Sequence, residues 1–234
     1  MTTKTRGGRE QVLADIRRSL GRTTPSREAI AAMPGSGPRP AFDGDLVERF
    51  VIKMLEKSAT LERIAALAEV GTAVARFVAS VHAPRRLCVS NALASIGWPS
   101  GLEVEHRAAR RDDETSVTPC FAAVAESGGI VTHSGPDTPV TLNFFPDNHI
   151  VVVHATQVVR HFEDVWTMWR ASGRPLPRAI NIISGPSRTA DIEQTIQLGA
   201  HGPRRLHILL VAARVLPACR LECAPASSQR HPMA

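Results

Sequence analysis

The chain contains no tyrosine, and aromatic side chains make up only 4% of its 234 residues. It therefore offers no stacking platform of the kind on which proteins read single-stranded nucleic acids. Cysteine is scarce too: Cys88, Cys120, Cys219 and Cys223 form no C-x-x-C pair. An iron–sulfur cluster or a structural zinc needs about four closely arranged ligands, so the expectation is free thiols, no metal and no cofactor held by this chain. No apolar run approaches the roughly 18 to 20 residues that cross a bilayer, and the first residues lack the apolar stretch of a secretory signal. That predicts no membrane span and a cytoplasmic chain. A G-x-G-x-x-G dinucleotide turn is missing as well.

What the chain does have is positive charge, +6 in all, but unevenly placed. Residues 1–40 hold eight Lys or Arg against three acids, and residues 212–234 hold three Arg against Glu222. The stretch between is close to neutral, so the excess belongs to the two ends and nucleic acid is not an expected partner. Hydrophobic residues make up 43% of the chain, enough for one well-buried domain with appendages.

Three segments follow from this. Residues 1–42 read as an N-terminal arm, in which Val12, Leu13, Ile16 and Leu20 give an amphipathic helix over Arg9–Leu20. A connection rich in proline (Pro25, Pro34, Pro38, Pro40) follows it. The helix's single apolar stripe needs cover, from its own domain or from a neighbouring subunit, so a homo-oligomer is left open. Residues 43–211 read as an α/β domain, and 212–234 as a poorly ordered tail.

Within the domain, Leu46 to Leu55 has helical periodicity with Asp43 or Asp45 as the N-cap. Leu61, Ile64, Leu67 and Ala68 suggest a second helix, continuing after Gly71 through Ala73–Val81. Arg86–Ser90 reads as a strand and Leu102–Glu105 as an edge strand, while Asp112-Asp113-Glu114 reads as a solvated acidic loop rather than a metal site. Val117–Ala125 reads as a small-residue helix that ends on Gly128 and leads into the strand Ile130–His133. Ser134–Asn148 is loop-rich, and His149–His154 is a buried strand whose two histidines point to opposite faces, which makes them structural. Gln157–Ala171 reads as a helix.

The stretch Ala179–Val211 organises this reading. Two apolar runs, Ala179–Ile183 and Leu206–Val211, flank a polar segment bounded by Gly and Pro, which predicts a strand, a crossover helix and a parallel strand. In open α/β sheets ligands collect beyond the carboxyl ends of strands, where the next helix aims its free N–H groups. Ser184, Gly185, Ser187, Arg188 and Thr189 cluster at that place in the sequence, so a small anion is expected there, held by backbone amides and by the planar fork of Arg188. The competing structural role is a helix cap, with Arg188 paired to Asp191.

The same segment, SGPSRTADIEQTIQLGAHGPRRLHILLV, closely resembles the C-terminal motif of the lactate-utilisation protein C family, the LUD domain. Upstream, Ala125-Glu126-Ser127-Gly128-Gly129 resembles the family's A-E-[TS]-G-T segment, with Gly129 where a threonine is usual. The resemblance covers about Leu46 to Val211. It implies a mainly parallel sheet flanked by helices, similar to the sugar-phosphate isomerase and CoA-transferase group. It also implies a role in oxidising L-lactate to pyruvate beside separate iron–sulfur subunits. A stand-alone enzyme acting on a sugar phosphate or a CoA thioester, or a regulatory ligand-binding subunit, are the alternatives. CoA transferases of similar fold carry a nucleophilic glutamate in an E-x-G turn, which makes Glu126 a candidate against the plainer reading of a surface acid beside a glycine turn.

Overall fold

The computed structural model describes residues 8–21, 39–189, 197–199 and 201–212. It divides into two compact units, Met1–Pro40 and Ala41–Ala234. In the first, α1 (Gly8–Ser19) carries Glu10 in its first turn and Arg17 and Arg18 in its last, charges that suit the helix dipole. None of its residues is buried, so its apolar stripe is exposed within that unit. Residues 22–38 of the proline-rich connection lie outside the described residues, as do the tail beyond Ala212 and with it Cys219 and Cys223.

The second unit is an α/β fold built on a six-stranded sheet in which every pairing is parallel. Its strands are β1 (Thr60–Ile64), β2 (Arg86–Val89), β3 (Glu103–His106), β4 (Thr115–Pro119), β7 (Asn148–His154) and β12 (Arg205–Val211), in the order β1-β12-β7-β4-β2-β3. A second, four-stranded sheet holds β5 (Ala122–Val124), β6 (Gly129–His133), β8 (Val158–Val159) and β9 (Ile180–Ile183), in the order β8-β5-β6-β9. A third pairing joins β10 (Arg188–Thr189) to β11 (Gln197–Leu198).

Alternation along the central strands creates two cores. Val152, Leu209 and Val211 face α3 (Val70–Ser80), where Val70, Val74 and Phe77 are buried. Val151, Val153, Ile208 and Leu210 face α2 (Leu46–Glu56) and the near side of the second sheet through Ala123 and Ile130. The far side of that sheet, through Ala122, Val124 and Val131, packs on Val165 and Trp169 of α5 (Phe162–Ala171). The helices thus enclose two stacked sheets. Asp45 caps α2, accepting from the Glu48 N–H at 2.9 Å, and a short helical turn, α4 (Thr141–Phe144), interrupts the long loop before β7.

Four expectations are corrected. Leu61 and Ile64 belong to β1, because five parallel pairings to β12 outweigh the helical spacing of the apolar residues. Val117–Ala125 is not a helix: Val117 lies in β4 and Ala122–Val124 form β5, whose alanines pack between two cores and not on a helix face. Helix α5 begins at Phe162, where the Asp164 carboxylate accepts the His161 N–H at 2.9 Å, and not at Gln157. Most consequentially, Ala179–Val211 is not a βαβ unit. Strand β9 pairs antiparallel with β6 in the second sheet, whereas β12 lies in the first. Arg188 and Thr189 form a strand where the crossover helix was expected to begin, and residues 190–196, with Asp191, lie outside the described residues.

Candidate functional site

The residues singled out in the sequence fall into two neighbouring groups. Glu126-Ser127-Gly128-Gly129 is the turn of the β5–β6 hairpin, with Gly128 at φ +68. Here it meets the end of α2: a Cβ on Gly128 would lie 2.8 Å from Lys53 Cβ. Lys57, a residue the sequence reading passed over, ties the group together. Its Nζ donates to the Ser127 carbonyl at 2.5 Å and to Ser184 Oγ at 3.1 Å. Gly185, at φ +110, lies against the Lys57 backbone, where a Cβ would stand 2.8 Å from the Lys57 carbonyl oxygen. The two motif pieces, A-E-S-G-G and S-G-P-S-R, therefore touch in space through one lysine.

Ser187 and Arg188 belong to the second group. The Ser187 N–H donates to the Pro203 carbonyl at 2.8 Å, and the Ser187 carbonyl accepts from Gly199 N–H at 3.0 Å. That amide is therefore committed, and no helix starts at Ser187 to supply others. With Pro203 two residues ahead of β12, this end of the turn sits at the amino edge of the large sheet, not beyond its carboxyl ends. A groove of about 490 Å³ opens beside it, lined by Arg111, Phe144, Phe145, Asp147 and His201. Arg188 is exposed.

Glu126 does not stand alone. Its carboxylate oxygen lies 3.2 Å from His161 Nδ1, and His161 is buried. The acidic loop is likewise a structural device in part: Asp113 is buried and receives both terminal nitrogens of Arg107, at 2.6 and 2.8 Å. Those bonds hold its carboxyl down at about 2. The strand histidine His149 is buried against Thr118 Oγ1 at 2.8 Å, in keeping with a structural role. Cys88 and Cys120 are free, buried thiols, both pushed up to about 12 chiefly by burial. Among the described residues no group of three or more His, Cys, Asp or Glu is arranged to hold a metal ion, and no helix is long and apolar enough to cross a membrane.

A cleft of about 590 Å³ does lie at the carboxyl ends of the parallel strands. Chain order reverses there, because β2 continues outward to β3 while β4 continues the other way to β7. Such a reversal splays the two following loops apart, which is why ligands collect at it. Ala92, just after β2, and Pro119, Cys120 and Phe121, at the end of β4, form one side; His133, Asp137 and Thr138 another; Met168 and Arg174 the rim. In the sequence this place shows only as the start of the loop-rich stretch Ser134–Asn148.

The fold and the cleft define an α/β protein with a mainly parallel sheet and an open pocket at its switch point. The model of the LUD domain matches residues 103–211. A lactate utilization protein C from Deinococcus radiodurans is 30% identical over 212 residues, which span 86% of this chain and 94% of that relative. One from Bacillus subtilis is 29% identical over 120 residues, half of each chain. The crystal structure of a DUF162 family protein from Deinococcus radiodurans superposes with a TM-score of 0.56 at 25% identity, covering 74% of this chain and 99% of that one. The chain belongs to the LUD-domain family, together with the lactate utilization protein C proteins.

Proposed function

We propose that this chain serves lactate utilisation as a component of a lactate-oxidising assembly, in which iron–sulfur clusters on separate subunits carry the electrons and this chain holds a small anion. The observation that carries the reading is the match to a lactate utilization protein C along 94% of that protein's length. The cysteines agree with the division of labour. Cys88 and Cys120 are packed into different cores as protonated thiols, which leaves too few of the four cysteines for a thiolate set in one place. Around the turn Ser184–Thr189, Lys57 at the Ser184 end and exposed Arg188 at the other are the cations available to an anion. The alternative of a thioester-attacking enzyme is less well supported, because the Glu126 carboxylate faces His161 and would have to leave it.

Deletion of the gene in its native host tests this role. Growth on L-lactate as sole carbon source should fail while growth on pyruvate continues, and the complementing tagged chain should co-purify iron–sulfur proteins. Undiminished growth on lactate overturns the proposal.

A further inference from the structure

We infer that the switch-point cleft binds a 2-hydroxy monocarboxylate, with Arg174 taking the carboxylate and Asp137 and His133 taking the hydroxyl hydrogen. The hydroxy-acid class rests in part on the lactate reading above, whereas the site rests on which polar groups in the cleft are spoken for and which are not. Gln157 is committed to the wall: its Oε1 accepts from the His154 N–H at 2.9 Å and its Nε2 donates to the Cys120 carbonyl at 3.0 Å. Ser172 closes α5, donating to the Trp169 carbonyl at 2.7 Å. By contrast, the Asp137 carboxylate and the Arg174 guanidinium have no hydrogen-bond or ion-pair partner among the described residues, and both line the cleft. His133 Nδ1 lies 3.3 Å from the Ser134 carbonyl, which can only accept, so Nδ1 carries the hydrogen and Nε2 is the ring's acceptor.

One planar cation and two acceptors select among small acids. A single carboxylate matches the guanidinium fork. A second carboxylate meets the negative charge of Asp137, so dicarboxylates are disfavoured. A hydroxyl can donate to Asp137 or His133, whereas an oxo group only accepts and leaves both acceptors without a hydrogen. Phe121, Met168 and Pro119 supply an apolar wall, and the cleft exceeds the size of lactate. Hydroxy acids with longer apolar side chains therefore fit as well.

Calorimetric titration of the full chain with L-lactate, 2-hydroxyisocaproate, pyruvate and malate tests the inference, using wild type, Arg174→Gln, Asp137→Asn and Arg110→Gln. Both hydroxy monocarboxylates should bind, with pyruvate and malate about tenfold or more weaker. Arg174→Gln should weaken lactate by about tenfold or more, Asp137→Asn should narrow the preference for lactate over malate, and Arg110→Gln, at an exposed arginine that does not line the cleft, should change neither. All three substituted residues are exposed, and matching thermal melts check that the variants fold. Pyruvate or malate binding as tightly as lactate overturns the inference, as does loss of binding in Arg110→Gln with retention in Arg174→Gln, or no heat from any acid at saturating millimolar concentration. The growth experiment separates the two readings. Selective binding by a chain whose deletion spares growth on lactate keeps the site and retires the role, and a growth defect without binding does the reverse.

Discussion

The Nζ of Lys57 donates to the carbonyl oxygen of Ser127 at 2.5 Å, across 70 residues of sequence. That bond, with the one to Ser184, fastens the β5–β6 turn and the turn after β9 to the end of α2. Lys57→Met should lower unfolding free energy by about 1 to 3 kcal/mol, since it leaves a half-buried carbonyl unpaired. Gly185→Ala should also destabilise, by about 1 to 3 kcal/mol, because φ +110 strains any L side chain and its Cβ would press on the Lys57 carbonyl. Urea denaturation reads both, and a neutral Gly185→Ala would contradict the close approach.

Asp113→Asn should destabilise by about 3 to 5 kcal/mol, because it leaves the Arg107 guanidinium facing a neutral partner in a largely buried pair. The folded carboxyl sits at about 2 against an ordinary value of 3.8, held down first by the Arg107 hydrogen bonds. Its depressed value means the contribution is present above about pH 4 and is lost as pH falls toward 2. Equilibrium unfolding at pH 7 compared with pH 3 checks both statements.

Sensitivity to milder acid comes from two buried histidines. His207 stacks on Phe77 at 4.3 Å and shares a hydrogen with Thr60 Oγ1 at 2.8 Å; burial pushes it down to about 4, with Glu62 opposing. Burial pushes His149 down to about 3. Unfolded histidines bind protons near 6.5, so below that pH the unfolded chain gains protons that the folded chain refuses. Stability should therefore be unaffected above pH 7 and fall by up to about 1.4 kcal/mol per pH unit for each histidine as pH drops from 6.5 toward 4. His207→Gln should roughly halve that slope. An unchanged slope would mean that His207 is not neutral in the fold.

Cys88 and Cys120 should resist iodoacetamide at pH 8 in the folded chain, since both thiols are buried and pushed up to about 12. Peptide mass spectrometry before and after urea reads the difference. Rapid labelling of Cys120 in the native protein would show that the cleft wall opens.

Removal of residues 1–40 should leave cooperative unfolding of the remainder intact. The chain divides at Pro40, and no residue of α1 is buried. A helix of this length is marginal by itself, so the excised arm should show little helicity by circular dichroism. Loss of cooperativity in the truncated protein would place α1 in the core.

Much of the fold was legible because local physics decided it. The helix periodicity and Asp45 cap of α2, the β-branched run of β7 and the alternation of the edge strand β3 each need only near neighbours to be read. The match of SGPSRTADIEQTIQLGAHGPRRLHILLV to a family was legible for the same reason, since it is a property of the string. What the sequence could not express was pairing over distance. Ile180–Ile183 and Leu206–Val211 have the same apolar character, yet one half-buried run joins the small sheet and the other the centre of the large one. The alanines of β5 signal a helix until two cores close on them. Lys57 gains its meaning only when Ser127 and Ser184 arrive from far along the chain. The cleft has the same origin. Ala92, Phe121, His133, Asp137 and Arg174 carry no common spacing, and they meet because strand order reverses between β2 and β4. Local periodicity decided elements such as α2, β3 and β7 and the motif string carried the family; strand order, a sum of many long-range burials, decided where a ligand has room.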